Sequence, residues 1–377
     1  MLKSFKTEIR PTEEQKDIID RTIGTCRFIY NFYIAQNKEW HERGEPFMTG
    51  KAFSVWMNNE YLPAKPDKAW IKDVSSKAVK KSMEDACTAY QRFFKGLSGF
   101  PKFKKKGKSD PKMYFVKDHP KDCLCERHRI KIPTLGWVRL KEKGYLPVTA
   151  SGIVIKSGTV SLKAGHYYIS VLADVPDIQK EPPKGEPVGI DFGLKEFAAV
   201  SDGTVWPNIN KTDRMRKLER KLKRGQRKLS RMKKGSSNRK RQILEIQRVY
   251  QRLDNIRIDH VNKFVARTVK TKPSYITIED LNISGMMKNR HLAKAVASQK
   301  FYEARVKLIS KCHEKGIEVR LAGRFYPSSK MCHSCGNIKK DLKLSDRVYR
   351  CPVCGYEEDR DFNASLNLRD IKEYRTA

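Results

Sequence analysis

The sequence predicts a multidomain α+β protein, because strand-like runs, long helical stripes and a cysteine-rich segment follow one another as blocks along 377 residues. Three observations carry this expectation. RIKIP, WVRLK, GIVIKSGTVSLK and YYISVLADV crowd into residues 129–175 as strands of a small antiparallel sheet or barrel. Upstream of them, apolar residues recur at helical spacing. Downstream, VGID, YITIE and IEVRLA are short apolar runs separated by long helical segments.

The first block opens with a strand over Ser4–Ile9. PTEEQ then offers Pro11 and a Thr12/Gln15 capping box, starting a helix on which Ile19, Ile23, Cys26, Tyr30 and Trp40 share a face. A second helix runs from about Ser76, with Val79, Met83, Ala86, Tyr90 and Phe93 on one side, and should pack on the first. GFPKFKKKGKSDPK (99–112) breaks regular structure. Residues 1–180 therefore form a β-barrel-like module with a helical insertion over about 11–110, and EPPKGEP (181–187) is the linker.

The second block, 181–377, opens with VGIDFGLKEFAAVSDGTVW, two strands around Asp202-Gly203, which signals a primed-type hairpin turn. Residues 211–257 hold nineteen Lys/Arg and four Asp/Glu, yet Leu218, Leu222, Leu229 and Met232, then Ile246, Val249, Leu253 and Ile256, keep a narrow apolar stripe. Interrupted by KKGSSN (233–238), this reads as a basic helical hairpin, or as a solvated coiled coil with no ligand. The strand YITIEDL (275–281), a helix over Phe301–Lys315, the strand IEVRLA, the cysteine segment and a helix from about Asp361 complete the chain.

Lys and Arg number 79 against 43 Asp and Glu, a formal charge of +36 that implies a polyanionic partner, nucleic acid before any other. No run approaches the ~18 apolar residues of a membrane span, and MLKSFKTEIRPTEEQ lacks the apolar core of a signal peptide, so a cytoplasmic protein without a membrane partner is expected.

Four of the nine cysteines form two CxxC pairs, Cys332/Cys335 and Cys351/Cys354, fifteen residues apart. Two such knuckles make a closed tetrahedral Zn²⁺ site, structural because no ligand position stays open. His333 needs no role in it. Cys26 and Cys87 read as core residues. Cys123 and Cys125, near His119 and His128, leave a looser second metal site open.

Four acids (Glu357, Glu358, Asp359, Asp361) follow the last cysteine pair, and Asp191 and Glu279 each end an apolar strand. A carboxylate from each strand and one from the final helix would converge if the strands are neighbours. Such oxygen ligands suit Mg²⁺ or Mn²⁺, and on a basic protein they suggest two-metal phosphodiester cleavage. Singly, Asp361 could be a helix N-cap, Asp191 a turn residue and Glu279 a solvated strand end.

GIDFGLKEFAAVSDG, then IEDL, then the cysteine ribbon running into DRDFNASLNL, resemble in this order the transposon-encoded TnpB proteins, compact relatives of type V CRISPR effectors; the likeness extends to the N-terminal helix and FPKFKKKG. The resemblance implies a wedge-type β-module with a helical recognition insert, then a ribonuclease H-like (RuvC-like) nuclease domain interrupted by the hairpin of 211–257 and by a zinc ribbon over about 328–358. It maps the catalytic, magnesium-binding acids to Asp191, Glu279 and Asp361, with Asp359 the nearest competitor. It further implies a guide RNA from the transposon end, double-stranded target DNA beside a short flanking motif, and one protein copy per RNA. Lys221, Arg224, Arg227, Lys228 and Arg231 would then meet RNA or heteroduplex phosphates. Lys77, Lys80 and Lys81 would lie toward flanking duplex, and Lys104 would contact nucleic acid. A cleavage-inactive regulator, and a transposase or junction resolvase without a guide, are the alternatives.

Overall fold

Thr12 sets the first junction of the fold. Its hydroxyl accepts from the Gln15 amide and the Gln15 side chain accepts from the Thr12 amide, closing the expected capping box at the start of α1 (Glu13–Glu42), directly after β1 (Leu2–Arg10). The computed structural model describes residues 2–149, 152–176, 183–343 and 345–377. The chain forms two units, Met1–Asp177 and Ile178–Ala377. Glu181 and Pro182 of the expected linker lie outside the described residues.

In the first unit, α1 is followed by α2 (Gly50–Trp56), a 3-10 segment (Pro66–Asp73) and α3 (Ser76–Phe94). Ile29, Tyr33 and Ile34 of α1 pack with Met83, Ala86 and Tyr90 of α3 and Phe53 of α2 in one core, as the helical stripes require. The strands are β2 (Lys112–Val116), β3 (Arg129–Ile132), β4 (Gly136–Leu140), β5 (Val154–Lys163) and β6 (His166–Asp174). With β1 they form an antiparallel sheet in the order β2-β5-β6-β1-β4-β3. β2, behind the basic loop, was not among the strands expected. Cys123 and Cys125 are buried in this unit's core, where burial pushes both thiols up to about 11. Among the described residues they belong to no group of side chains able to hold a metal ion, so the looser second site is not assembled.

The second unit contains β7 (Val188–Phe192), β8 (Ala198–Val200), β9 (Val205–Trp206), α4 (Asp213–Ser230), α5 (Ser237–Lys270) and β10 (Tyr275–Glu279). The short helices α6 (Ile283–Met286) and α7 (Ala293–Gln299) lead to α8 (Phe301–Lys315) and β11 (Glu318–Ala322). β12 (Val348–Arg350), β13 (Glu357–Asp359), α9 (Arg360–Arg369) and β14 (Tyr374–Thr376) close the chain. The main sheet runs β14-β11-β10-β7-β8-β9; β7, β10 and β11 are parallel, and the other three strands pair antiparallel.

Alternation along the parallel strands separates two faces. Val188, Ile190, Ile276 and Ile278 enter a core with Val261, Phe264 and Val265 of α5 and Phe301, Ala304 and Leu308 of α8. α5 thus runs well beyond the expected hairpin limit at residue 257, and its C-terminal half is core. The opposite face carries Gly189, Asp191, Thr277 and Glu279. α9 lies so close over it that a Cβ on Gly189 would sit 2.0 Å from the Ser365 carbonyl oxygen. The β8–β9 turn differs from expectation: only Gly203 has positive φ (+85°), while Asp202 accepts from the Thr204 amide, so the turn is not of the primed type requiring both central residues left-handed.

Candidate metal and nuclease centre

The parallel register of β7 and β10 pairs Ile276 with Val188, Thr277 with Gly189 and Ile278 with Ile190. One step further places Glu279 beside Asp191, on the face that α9 covers. α9 supplies the third acid. Its N-cap is Asp359, whose carboxylate accepts from the amides of Asp361 (2.9 Å) and Phe362 (3.1 Å). Asp361 is therefore a first-turn residue and not the cap, and its carboxylate accepts from the Arg360 guanidinium at 2.8 and 3.0 Å. Asp191, Glu279 and Asp361 are partly buried, whereas Asp359 is exposed.

Electrostatics join these groups. Burial, then the negative charges of Glu279 and Asp361, hold the Asp191 carboxyl well above the usual range; Arg360 offsets part of this and Asp359 adds a smaller push in the same direction. Burial also raises Glu279, against a hydrogen bond donated by Ser328 Oγ to Glu279 Oε1 at 2.6 Å. No hydrogen-bond donor is paired with the Asp191 carboxylate among the described residues. Converged carboxylates that disfavour one another's ionisation fit a divalent cation, whose charge would reverse that preference. Next to Glu279, Asp280 binds Arg305 at 2.6 Å and Arg375 at 3.1 Å, with Arg324 at 3.8 Å, so three guanidiniums surround one carboxylate beside the acids.

The four cysteines converge as the CxxC spacing requires. Within their cluster, Cys332–Cys354 and Cys335–Cys351 are both 3.6 Å apart, sulfur to sulfur. A tetrahedron with metal–sulfur bonds of about 2.3 Å has edges of roughly 3.8 Å, so these four can hold one ion. Amides of Cys354 and Val353 aimed at Cys351 hold its thiol down at about 6. His333 Nε2 lies 3.7 Å from Asp370, outside the set. Glu357 and Glu358 sit on β13: Glu357 pairs with Arg350 at 2.9 Å, and Glu358 accepts from the Asp359 amide.

The residues that join ribbon to sheet were missed by sequence reasoning. Asn363 and Asn367 of α9 are buried; both donate to the Met331 carbonyl, at 2.8 and 2.7 Å, and Asn367 also donates to the Ser328 carbonyl at 2.8 Å. The His333 amide donates to Asn363 in return. Their signal was present, four residues apart in FNASLN on an apolar helix face.

The basic residues divide. Lys221, Arg224, Arg227, Lys228 and Arg231 are exposed on or just after α4. Lys217, Arg220, Lys223, Arg224 and Arg227 line one groove, three of which were not singled out from sequence. Met215, Leu218, Val249 and Leu253 form the small seam of the α4–α5 hairpin. Lys77 pairs with Asp118 at 3.1 Å and Lys81 with Glu84 and Asp85 at 3.4 Å, so that face is partly neutralised; Lys80 is exposed. Lys104 is held inward, its ammonium 3.7 Å from the Tyr30 ring centroid and its pKa lowered by burial.

A protein of Escherichia coli K12 named "Putative RNA-guided DNA endonuclease InsQ" is 33% identical over 97% of this chain and 91% of its own length. This chain belongs to the TnpB family. A Streptomyces pristinaespiralis protein of the same description, without the gene designation, is 30% identical over 97% of this chain and 88% of its own. Family models match residues 170–290 ("Probable transposase"), 301–368 ("Cas12f1-like, TNB domain") and 1–46 ("Helix-turn-helix domain"). Within 1–46 the described residues form β1 and the single 30-residue helix α1, with no helix–turn–helix. The fold is similar to that of Cas12f1 solved by cryo-EM with sgRNA and target DNA: the TM-score is 0.58 at 14% identity, over 98% of this chain and 99% of the other.

Proposed function

We propose that this protein is an RNA-guided DNA endonuclease of a transposon, with the acids on the α9-covered face as its cutting centre. The observation that carries the reading is the β7/β10 register, which sets Glu279 beside Asp191 while α9 adds Asp361 to the same electrostatic group. Asp191, Glu279 and Asp361 would hold Mg²⁺ or Mn²⁺; bound there, such ions supply an activated water and stabilise charge on the leaving oxygen. The protein's own groups do the rest. Arg360 fixes the Asp361 carboxylate, Ser328 engages one oxygen of Glu279, and the guanidiniums around Asp280 attract the polyanionic strand to the strand ends.

The cysteine set would hold Zn²⁺ as a closed structural site of a ribbon over about 328–358. Residues 181–377 are read as a ribonuclease H-like, RuvC-like domain, and 1–180 as a wedge module whose helices, about 11–110, form a recognition insert. Base pairing to the guide supplies sequence specificity, while the α4 cations grip phosphates. The family's relatives, described as RNA-guided DNA endonucleases, support this over an unguided transposase or resolvase. The test is to express the protein with its flanking genomic DNA, sequence the RNA that copurifies, and challenge the particle with a plasmid library randomised beside a guide-matched target. One defined RNA and Mg²⁺-dependent cutting at plasmids sharing a flanking motif are expected. RNA of random origin, with cutting indifferent to it, would favour the unguided class.

A further inference from the structure

The Ser328 hydroxyl lies between two parts of the molecule that have no covalent reason to be in register. Glu279 is the last residue of β10, and Ser328 belongs to the segment leading into the first cysteine knuckle. Ser328 is almost fully buried, 3% exposed, and donates to Glu279 at 2.6 Å, as short as a charge-assisted bond. Its own backbone is fixed from the other side. Asn367 of α9 donates to the Ser328 carbonyl and, together with Asn363, to the carbonyl of Met331, the residue before Cys332. Tyr326 OH donates to the Asn367 carbonyl at 3.2 Å. Buried amides with both partners satisfied tolerate little displacement, because each lost bond leaves a desolvated polar group.

We propose that Ser328 is a positioning residue for Glu279, and that the Asn363/Asn367 pair on α9 holds it there, so the ribbon's first knuckle aligns the β10 acid with the α9 acid. This rests on the reading of Glu279 as a metal-binding carboxylate. One oxygen of Glu279 takes the serine hydroxyl and the other is left for the ion. Loss of the hydroxyl frees the side chain to rotate, and losses of such outer partners reduce metal affinity or activity by about 10–100-fold. Loss of metal from the cysteines would act through the same path, by releasing Met331 and Ser328 from α9.

The test uses the RNA-bound full-length protein in four forms: wild type, Ser328→Ala, Ser328→Thr and Glu279→Gln. Mn²⁺ binding is followed by the loss of the free-ion paramagnetic resonance signal, beside zinc content, thermal midpoint and cutting rate against Mg²⁺ concentration. Ser328→Ala should keep its zinc and its midpoint, bind Mn²⁺ about tenfold more weakly and need correspondingly more Mg²⁺ to cut. Ser328→Thr, which retains a hydroxyl, should recover most of this. If Glu279→Gln is impaired while Ser328→Ala binds Mn²⁺ like wild type, the positioning role is wrong. Normal cutting by Glu279→Gln would instead remove the carboxylate reading on which it stands. A Ser328→Ala protein that has lost zinc or melts early, with Thr no better, would make the serine a folding residue and overturn the proposal.

Discussion

At Asp191, burial and the neighbouring carboxylates of Glu279, Asp361 and Asp359 make the ionised form costly in the metal-free protein. A carboxyl whose folded pKa is raised contributes stability below its unfolded pKa near 4, and loses it as pH rises through the folded value. Without divalent ions, Asp191→Asn should therefore melt higher than wild type at pH 7, by about 2–4 °C, with the difference vanishing toward pH 4. Mg²⁺ should close the gap by raising the wild type alone, and differential scanning calorimetry at several pH values checks both. Single substitutions distinguish Asp361 from Asp359. Asp361→Ala should reduce cutting about 10³-fold at matched RNA occupancy, while Asp359→Ala should cost about 1 kcal/mol as a lost N-cap and leave most of the cutting. Dead Asp359→Ala beside active Asp361→Ala would exchange their roles. Asp191 and Glu279 were legible in the sequence because a charge that ends an apolar strand is carried to the rim of a buried sheet, where solvation is incomplete and a carboxylate needs a partner. Ser328, Asn363 and Asn367 were not, since a serine or amide in a polar segment looks solvated until its partner's position is known. Lys104 shows the converse: a cation in a basic loop reads as a phosphate contact, and its ammonium over the Tyr30 ring was not legible from the loop's composition.

At the scale of elements, α9 and the ribbon act as one part. Gly189 permits it, because a side chain there would meet the backbone of α9 at Ser365 and Arg369. Gly189→Ala should push α9 from the sheet, destabilise the second unit by about 1–3 kcal/mol and lower cutting with Asp361 displaced. Denaturant unfolding measures the first effect, and an unshifted midpoint would contradict the close approach. Cys335→Ser should release the metal and loosen the 332–354 segment; elemental analysis should find about one zinc per chain in the wild type and substantially less in the variant. The helix starts were readable where capping chemistry is local, as at Thr12. The long continuation of α5 was not, because its basic first half and buried second half share one helical period but different surroundings. β2 and β14 were hidden for another reason: five- and three-residue strands are recognised by their neighbours in the sheet more than by their own composition.

At the scale of the whole molecule, a formal charge of +36 should appear as steep salt dependence of RNA binding. If Lys221, Arg224, Arg227, Lys228 and Arg231 each meet one phosphate, replacing all five by Gln should reduce the log–log slope by about 3.5–4.5. Fluorescence anisotropy across a salt series reads it, and an unchanged slope would return the hairpin to a solvated coiled coil. Charge alone does not cut DNA, however. The measurement that bears most directly on the assigned chemistry is cleavage of a guide-matched plasmid in Mg²⁺ by wild type and Asp191→Asn particles carrying equal amounts of the same RNA. Cutting by the wild type alone, with RNA and target binding retained in the variant, is the expected result. Equal cutting by both would show that the acids on the α9-covered face are not the nuclease centre.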